Sequence, residues 1–306
     1  MVRLAFPVVS LLLLGCVGDP ATPLAPPIAT PRADFVFQVP TGGYDIYLYD
    51  IQTGTATQVT TLAGTGEFNP SFSADGRSIV HDVVHFDPFS QDLYITNIAT
   101  HVSTPLVGGE GGNDANWSPT GLIAFDRLSA DDPNLYVVPA SGGTRRLVRA
   151  NGLDPQWNPA GDHLVFVDAT DNSLRTIALR SGIEHVVAAF GVAPAWSIDG
   201  RHIAYSDGFN LYSVAVNADG AAVGPQVQLT FDVGQIYNGQ PTWANDGRTI
   251  VFHSNREADY VDFDLWQIPA SGGEPTRLTG TVGVGDYDPA YYQRKYVAFA
   301  GFTPGY

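Results

Sequence analysis

Hydrophobic and polar residues alternate in short segments along most of the chain, and one pattern returns several times. The segment "PSFSADGRSIVH" begins at Pro70, "PQWNPAGDHLVF" at Pro155, "PAWSIDGRHIAY" at Pro194 and "PTWANDGRTIVF" at Pro241. Each copy has an aromatic residue, a turn with glycine in its fourth position, and an apolar run rich in β-branched residues. The pattern predicts two β-strands joined by a tight turn.

Two further strands are predicted in each repeat. Alternating segments such as "DLYITN", "NLYVVP" and "DLWQIP" predict a third strand, and shorter segments such as "TRRLV" and "QVQLT" predict a fourth. A repeat of roughly 40 to 45 residues with four strands is typical of a β-propeller blade. The aromatic residues that mark the repeats are Phe72, Trp117, Trp157, Trp196, Trp243 and Tyr291.

The two ends of the chain carry incomplete repeats. The segments "DFVFQV", "YDIYLYD" and "TATQVT" resemble second, third and fourth strands, whereas "DPAYYQRKYVAFAG" near the other end resembles first and second strands. We therefore predict an all-β, six-bladed propeller over residues 34–306, with four-stranded antiparallel blades and a ring closed by pairing of N- and C-terminal strands. Residues 35–39 and 296–299 compete for one second-strand position, and the sequence leaves that choice open.

The blade pattern resembles the WD-like repeat of the TolB family and of the propeller domains of prolyl oligopeptidases, whose consensus is close to P-x-W-S-P-D-G-x-x-I-A-F. The resemblance covers residues 34–301. It implies the propeller fold specifically, whereas its functional implication is broad, since such propellers serve as scaffolds, lectin-like binders, lyases and gates for peptidases.

The first residues predict export and a lipid anchor. The run "MVRLAFPVVSLLLLGC" has one positive charge, Arg3, ahead of an apolar stretch that is too short for a stable membrane span, as in a secretory signal peptide. Its end, from Leu13 to Cys16, resembles the lipobox of bacterial lipoproteins, which implies acylation of Cys16. Val17 stands where an aspartate would imply inner-membrane retention, so we expect the outer membrane, facing the periplasm. Residues 17–33 are rich in Pro, Ala and Thr and predict an extended tether.

Composition limits the partners. The formal net charge is −16, with 31 acidic and 15 basic residues, so the chain lacks the cationic surface that nucleic acid requires. Cys16 is the only cysteine, which excludes a disulfide within the chain and a cysteine-based zinc site. We expect a monomer whose partner is an envelope protein or peptide, plausibly a basic one.

In a propeller, the turns between first and second and between third and fourth strands lie on one face, here called the turn face. The loops between second and third strands, and the crossings between blades, lie on the opposite, mouth face. Acidic residues fall mostly in the mouth-face loops, whereas Arg77, Arg201 and Arg248 fall in the turns. We therefore expect an acidic mouth face that attracts a cationic partner.

One position per repeat, just before the proline or its equivalent, should converge on the channel axis. The predicted ligand-binding residues at this channel mouth are Asn69, Asp114, Asp154, Gln240 and Asp288. Their oxygen atoms suit calcium, so calcium is a candidate ligand although no cofactor is required. Asn and Asp before Pro also form side-chain turns, which is the alternative explanation.

Enzymatic signatures are weak. The chain has no G-x-S-x-G, no H-E-x-x-H and no D-x-[DN]-x-[DN]-G segment. His81 and His85 share a strand face near Asp87, which suits either a transition metal or an ordinary sheet surface. We therefore predict a binding scaffold without catalytic residues. The alternatives are a lyase or glycoside-active propeller, using an acid–base pair such as Asp114 with Asp154, and a calcium-dependent binder at the mouth.

Overall fold

The computed structural model describes residues 35–40, 44–50, 55–127, 133–256, 263–279, 286 and 289–290. Regular structure in these ranges consists of β-strands arranged in antiparallel sheets. No helix in the described ranges is long and apolar enough to cross a membrane. The predicted signal segment, Cys16 and the tether fall outside them.

The sheets follow one another along the chain. The three-stranded sheet contains β1 (Phe35–Pro40), β2 (Tyr44–Asp50) and β3 (Thr55–Gln58). The first blade contains β4 (Thr65–Phe72), β5 (Ser78–Phe86), β6 (Phe89–Asn97) and β7 (Val102–Glu110). The second contains β8 (Asn113–Trp117), β9 (Leu122–Arg127), β10 (Asn134–Pro139) and β11 (Arg146–Arg149).

The remaining blades keep the same order of four sequential strands. The third blade contains β12 (Gly152–Trp157), β13 (His163–Asp168), β14 (Leu174–Ala178) and β15 (Glu184–Ala188). The fourth contains β16 (Val192–Trp196), β17 (His202–Ser206), β18 (Leu211–Ala215) and β19 (Val227–Gln228). The fifth contains β20 (Asn238–Trp243), β21 (Thr249–Ser254), β22 (Asp264–Pro269) and β23 (Thr276–Arg277).

The predicted tight turns join first to second strands. In the first blade, the Gly76 amide donates to the Ser73 carbonyl at 2.9 Å, and Gly76 has φ 69°, in the left-handed region that glycine enters without steric cost. The Ser73 hydroxyl donates to Asp75 Oδ1 at 2.7 Å and accepts from the Ser78 amide at 3.0 Å. Local side-chain hydrogen bonds therefore fix the turn that the repeated sequence encodes.

Apolar side chains of neighbouring blades form shared cores. Trp157 of the third blade is 1% exposed and packs in one cluster with Leu135 and Val137 of the second. Its amide and its indole Nε1 both donate to Asn116 of the second blade, at 2.9 and 3.1 Å. Trp157 thus joins the third blade to the second through burial and hydrogen bonding, and the Trp243 indole makes the equivalent bond to the Ala195 carbonyl at 3.1 Å.

The three-stranded sheet has the internal geometry of a blade. The Ile46 amide of β2 donates to Thr60 Oγ1 at 2.8 Å, and the Leu211 and Leu265 amides in the third strands of two complete blades make the same bond to Thr230 and Thr279 at 2.9 Å. β2 and β3 therefore correspond to third and fourth strands, and β1 takes the second-strand position. The competing residues 296–299 lie outside the described ranges.

The core of this sheet includes residues from both ends of the blade series. Ile46 and Leu48 belong to one cluster with Ile79 of the first blade and with Val251 and Leu265 of the fifth. The prediction of an all-β propeller with four-stranded antiparallel blades is confirmed for five blades. The sixth blade and its closing strand remain predictions, because most residues after 279 lie outside the described ranges.

Candidate functional site

The first strands of the five blades surround a central channel of about 300 Å³. Its lining runs from the mouth-face residues Asn69, Asp114 and Asp154 to turn-face residues such as Ala74 and Asn245. Trp117, Trp196 and Trp243 also line the wall. The channel is therefore polar at the mouth and partly aromatic along its length, a mixture typical of ligand pockets.

The mouth residues share an unusual backbone conformation. The φ angles are 48° at Asn69, 49° at Asp114, 52° at Asp154, 50° at Ala193 and 45° at Gln240. Each of these residues lies within an irregularity of the pairing between first and second strands. Asn and Asp enter the left-handed region more readily than other non-glycine residues, but Ala and Gln do not. The surrounding blade geometry therefore imposes the conformation at all five positions.

The boundary between two blades is here called the seam. At the seam, buried carboxyl groups accept hydrogen bonds from the backbone amides of the mouth residues. Asp82 of the first blade is fully buried, and its Oδ2 accepts from the Asp114 amide of the second blade at 3.0 Å and from Asn69 Nδ2 at 2.7 Å. Asp126 of the second blade is equally buried, and its Oδ2 accepts from the Asp154 amide of the third at 2.7 Å. Each carboxyl thus links a mouth residue to the preceding blade.

The next two seams use different groups. Apolar Val167 occupies the position equivalent to Asp82 and Asp126 in the third blade, and there the Asp154 carboxylate itself accepts from the Ala193 amide at 2.7 Å. Between the fourth and fifth blades, the Ser206 hydroxyl donates to the Asn238 carbonyl. The polar group at the seam therefore changes from a carboxyl in the first three seams to a hydroxyl between the fourth and fifth blades.

Three carboxyl groups at or beside the mouth have raised pKa values. Burial raises the pKa of Asp114 to about 6. Burial and the neighbouring Asp114 carboxyl raise the pKa of Asp82 and of Asp126 well above the ordinary aspartate value. Three carboxyl groups within two adjacent seams cannot all ionise at low cost, because each adds like charge to the others. Proton occupancy at the mouth therefore depends on pH near neutrality.

Four of the five predicted site residues, Asn69, Asp114, Asp154 and Gln240, line the same channel. Asp288 lies outside the described ranges, although Pro289, which follows it, contributes to the lining. Sequence reasoning missed Asp82 and Asp126. The available signal was an aspartate at the same repeat position in "SIVHD" and "LIAFD", where an apolar strand would otherwise continue.

Several acids assigned to the mouth face are neutralised by arginine. Asp168 is 1% exposed and lies 2.8 Å from Arg149 and 3.1 Å from Arg175. Asp264 is similarly buried against Arg277. The described part of the mouth face is therefore less acidic than its sequence indicates, since the carboxylates of these loops are partly used in internal ion pairs. Asp131, Asp132, Glu257, Asp259 and Asp262 lie outside the described ranges.

The described residues include no group of three or more His, Cys, Asp or Glu side chains arranged to hold a metal ion. His81 is fully buried, and its Nε2 is 2.8 Å from the Thr96 hydroxyl. Burial lowers the pKa of His81 and of His253 to about 4, so both are neutral at physiological pH. Within the described residues, His81, His85 and Asp87 form no group arranged to hold a metal ion.

Structural comparisons show which known folds the chain resembles. A putative TolB from Agrobacterium tumefaciens is 20% identical, with a TM-score of 0.64 over 81% of this chain and 89% of that one. TolB from Acinetobacter baumannii is 16% identical, with a TM-score of 0.69 over 84% of this chain and 66% of that one. An oligogalacturonate lyase in complex with manganese is 16% identical, with a TM-score of 0.52 over 82% and 74%.

No protein-family profile matches the chain, and comparison with curated proteins finds no match. The predicted resemblance to TolB propellers is confirmed at the level of fold. At these identities the same architecture occurs in a lyase and in TolB proteins, so the fold leaves the activity open. The functional argument therefore depends on the residues of the channel mouth.

Proposed function

We propose that this chain is a binding scaffold of the bacterial envelope that receives a basic segment of a protein, or a cationic ligand, at its channel mouth. The carboxyl groups of Asp114 and Asp154 beside the side-chain amides of Asn69 and Gln240 carry this proposal. All four line one channel, and they are held there by an imposed backbone conformation. Carboxylates and amide oxygens accept hydrogen bonds from ammonium and guanidinium groups.

The fixed backbone supports binding because the mouth residues do not have to be ordered when a ligand arrives. Carboxylates that converge on one opening also focus the electric field there. The net charge of −16 favours a basic partner over an acidic one. Within the described residues, the mouth shows no metal-binding cluster, which favours binding over the metal-dependent chemistry of the manganese-bound lyase.

The proposal includes a six-bladed ring in which the three-stranded sheet and the C-terminal strands form the closing blade. Its support is the core cluster that joins Ile46 and Leu48 to residues of both the first and the fifth blade. The Asp286 amide also donates to the Phe263 carbonyl at 2.6 Å, and the Asp286 carboxyl raises the pKa of Tyr49 in β2, after burial as the larger cause. The chain beyond the fifth blade therefore returns toward β2.

The proposal also includes a lipid anchor on Cys16 and an outer-membrane location facing the periplasm. Its support is the apolar run that ends at Cys16 and the Pro-rich segment that follows. Expression of the wild-type chain and of Cys16→Ser tests it. We expect wild type in the membrane fraction with an acylated N-terminal peptide by mass spectrometry, and Cys16→Ser in the soluble fraction. An unmodified wild-type peptide would contradict the anchor.

The mouth is tested by comparing two variants that remove equal charge from opposite faces. Asp114→Asn with Asp154→Asn changes the mouth, whereas Asp199→Asn with Asp246→Asn changes two turns on the turn face. We expect chemical cross-linking in the intact envelope to lose its adducts in the mouth variant and to keep them in the turn variant. Equal loss in both would indicate a general effect of net charge and would contradict the mouth as the binding site.

Calcium binding is tested separately by calorimetry on chelator-treated protein. We expect no stoichiometric heat, because the described residues form no suitable cluster of acidic ligands. Stoichiometric binding that disappears in Asp114→Asn with Asp154→Asn would replace the scaffold proposal with that of a calcium-dependent binder.

A further inference from the structure

Exposed aromatic side chains lie on one face of the propeller. In the part of the chain that the structure describes, they come from loops between second and third strands or from crossings between blades, which form the mouth face. The exposed aromatic residues are Phe86, Phe89, Phe190, Phe209, Phe231 and Tyr237. Exposed aliphatic residues such as Val102, Ile183 and Val223 lie instead in or near turns between third and fourth strands, on the turn face. The two faces therefore offer different kinds of apolar surface.

One crossing is longer than its equivalents. The chain between β19 and β20 occupies residues 229–237, whereas the crossing into β4 occupies residues 59–64 and the crossings into β8, β12 and β16 occupy residues 111–112, 150–151 and 189–191. A crossing that only connects blades needs no such length, as the last three show. Extra length in one loop on a repeated scaffold is typical of a functional segment.

The long crossing and the adjacent loop expose four apolar side chains, here called the aromatic platform and defined by Phe209, Phe231, Val233 and Tyr237. The exposed fractions are 45% for Phe209, 74% for Phe231, 85% for Val233 and 39% for Tyr237. The rings of Phe209 and Tyr237 stack with centroids 5.1 Å apart. Apolar groups that remain exposed on a folded monomer mark interaction surfaces when they cluster.

A partly buried polar network holds the loop of the platform in its shape. The Asn210 side-chain oxygen accepts from the Asp232 amide at 2.9 Å, and Asn238 Nδ2 donates to the Asp232 carboxylate at 3.0 Å. Arg256 Nη2 donates to both Asp232 and Asn238 at 2.8 Å, while its guanidinium lies 5.0 Å from the ring centre of Trp266. The loop is therefore shaped by specific hydrogen bonds although its apolar side chains face solvent.

A second set of bonds fixes the end of the crossing. The Tyr237 amide donates to Asn255 Oδ1 at 2.7 Å, and Asn255 Nδ2 donates to the Gln235 carbonyl at 3.1 Å. Because the loop is held in its shape before a partner arrives, binding would cost little further conformational entropy. An internal network of this kind, placed beside the largely exposed side chains of Phe231 and Val233, is explained by a role in recognition.

We propose that the aromatic platform docks an extended segment of a partner protein in which apolar residues alternate with lysine or arginine. This inference rests on the proposed function and extends it from the mouth to the adjoining surface. The apolar residues of the partner pack on Phe231, Val233 and the Phe209–Tyr237 pair, as aromatic anchors do in protein interfaces.

The charges around the platform, and its position beside the channel, favour lysine or arginine in the partner segment. The charged groups described around the platform are Asp207, Asp232 and Arg256, and the one cation among them is bonded to Asp232 and Asn238. Because Arg256 is paired with Asp232, these three groups leave one net negative charge, that of Asp207, which favours a cation over an anion. The crossing leads directly into β20, which carries the mouth residue Gln240, so a segment on the platform lies beside the channel opening.

Synthetic peptides of constant apolar content, ranging from basic to acidic, test the platform by fluorescence anisotropy with the full propeller chain. We expect the basic peptides to bind more tightly than the acidic ones. We expect Phe231→Ser with Tyr237→Ser to weaken that binding about tenfold or more, as loss of an aromatic anchor does. The matched control, Val223→Ser with Val102→Ser on the turn face, should bind as wild type.

Thermal unfolding of each variant accompanies the binding measurement. Phe231→Ser alone should leave the midpoint unchanged, because its ring is 74% exposed, and its binding is measured beside that of the double variant, since Tyr237 is 39% exposed and stacks on Phe209. Unchanged binding in the platform variant, or equal binding of acidic and basic peptides, would overturn the platform proposal. Basic peptides that lose affinity in Asp114→Asn with Asp154→Asn but not in the platform variant would leave the mouth proposal standing alone. Absence of binding by every peptide would overturn the platform proposal, and cross-linking in the envelope would then judge the mouth independently.

Discussion

The seams between the first three blades and the seam between the fourth and fifth have the same backbone and different chemistry. Asp82 and Asp126 accept amides across the first two seams, whereas Ser206 donates a hydroxyl to a carbonyl across the last. The mouth residues on both sides of the ring nevertheless keep φ between 45° and 52°. The left-handed conformation therefore does not require a carboxyl partner.

This difference distinguishes the backbone conformation, which the fold requires, from the acidic side chains, which it does not require. Ala193 and Gln240 adopt the same conformation as Asp114 and Asp154, so acidic side chains are not needed for closing the inner strands. The acids also add an electrostatic cost, because burial raises the pKa of Asp82, Asp114 and Asp126. Groups that a fold does not need, and that oppose its stability when ionised, are candidates for function. Four measurements would break or sharpen this comparison.

The largest loss of stability is expected from removing a buried tryptophan, and we expect it to be equal in the third and the fifth blade. Trp157 and Trp243 are 1% and 8% exposed, and both indoles donate to a carbonyl of the preceding blade at 3.1 Å. We expect Trp157→Ala and Trp243→Ala each to lower the free energy of unfolding by about 3 to 5 kcal/mol. Urea unfolding measures both. A much smaller loss at Trp243 would show that the seams differ in packing as well as in polar chemistry.

The hydrogen bonds across the two kinds of seam should contribute different amounts to the free energy of unfolding. Asp126→Ala leaves the Asp154 amide without its acceptor, and we expect a loss of about 1 to 3 kcal/mol. Ser206→Ala removes one hydroxyl donor, and we expect a loss of about 0.5 to 1.5 kcal/mol. Unfolding at acidic pH makes the comparison fairer, because burial raises the pKa of Asp126 and so favours its neutral carboxyl. Equal losses would remove the distinction between the two kinds of seam.

We expect the free energy of unfolding to depend on pH, because carboxyl groups at the seams have raised pKa values. The folded pKa of Asp114 is about 6, above its unfolded value of 3.8, so the folded state keeps this proton longer. Its contribution to stability is complete near pH 4 and is lost as the pH rises through 6. Asn cannot ionise. We therefore expect Asp114→Asn to gain about 1 to 2 kcal/mol relative to wild type between pH 4 and pH 7, allowing for the side chain's contact with the channel.

A turn-face aspartate provides a control of opposite sign for that measurement. Backbone and side-chain hydrogen bonds from Arg248 and Thr249 outweigh the effect of burial and lower the pKa of Asp246. Its contribution is present at neutral pH and is lost as the pH falls through the folded pKa. Asp246→Asn should therefore lose stability relative to wild type as the pH rises from acid to neutral. Parallel pH curves for the two variants would contradict the assignment of raised pKa values to the mouth.

The smallest effect on stability is expected at the aromatic platform. Phe231 and Val233 are 74% and 85% exposed, so Phe231→Ser and Val233→Ser should change the free energy of unfolding by less than about 0.5 kcal/mol. Urea unfolding again measures this. A loss above 1 kcal/mol would indicate that these residues support the fold, and it would weaken the argument that their exposure serves recognition.

The repeat and its turns were predictable because both are local. The sequence "SADG" encodes its own hydrogen bonds between Ser73, Asp75 and the glycine, and the aromatic spacing indicates the blade. The channel mouth was predictable as a set of positions, since a repeat places equivalent residues around one axis. Four of the five predicted mouth residues can be located, and all four line the channel.

The remaining features of the fold and the site could not be predicted, because they depend on contacts between residues that are distant in the sequence. Nothing in the local sequence says that Asp82 accepts the amide of Asp114, or that Asp168 is neutralised by Arg149 and Arg175. The left-handed conformation of Ala193 and Gln240 is likewise imposed by the blade and not by their own preference. The long crossing was visible as the wider spacing between Trp196 and Trp243, but its polar network with Arg256 required the folded chain.

The direction of β1 decides how the molecule would be presented to its surroundings. A second strand begins at the turn face and runs toward the mouth face, and β1 takes a second-strand position beside β2. β1 therefore starts, at Phe35, on the side opposite the mouth. With the proposed lipid anchor on Cys16, attachment through that start would hold the propeller from its turn face and leave the mouth and the aromatic platform open to partners in the surrounding compartment.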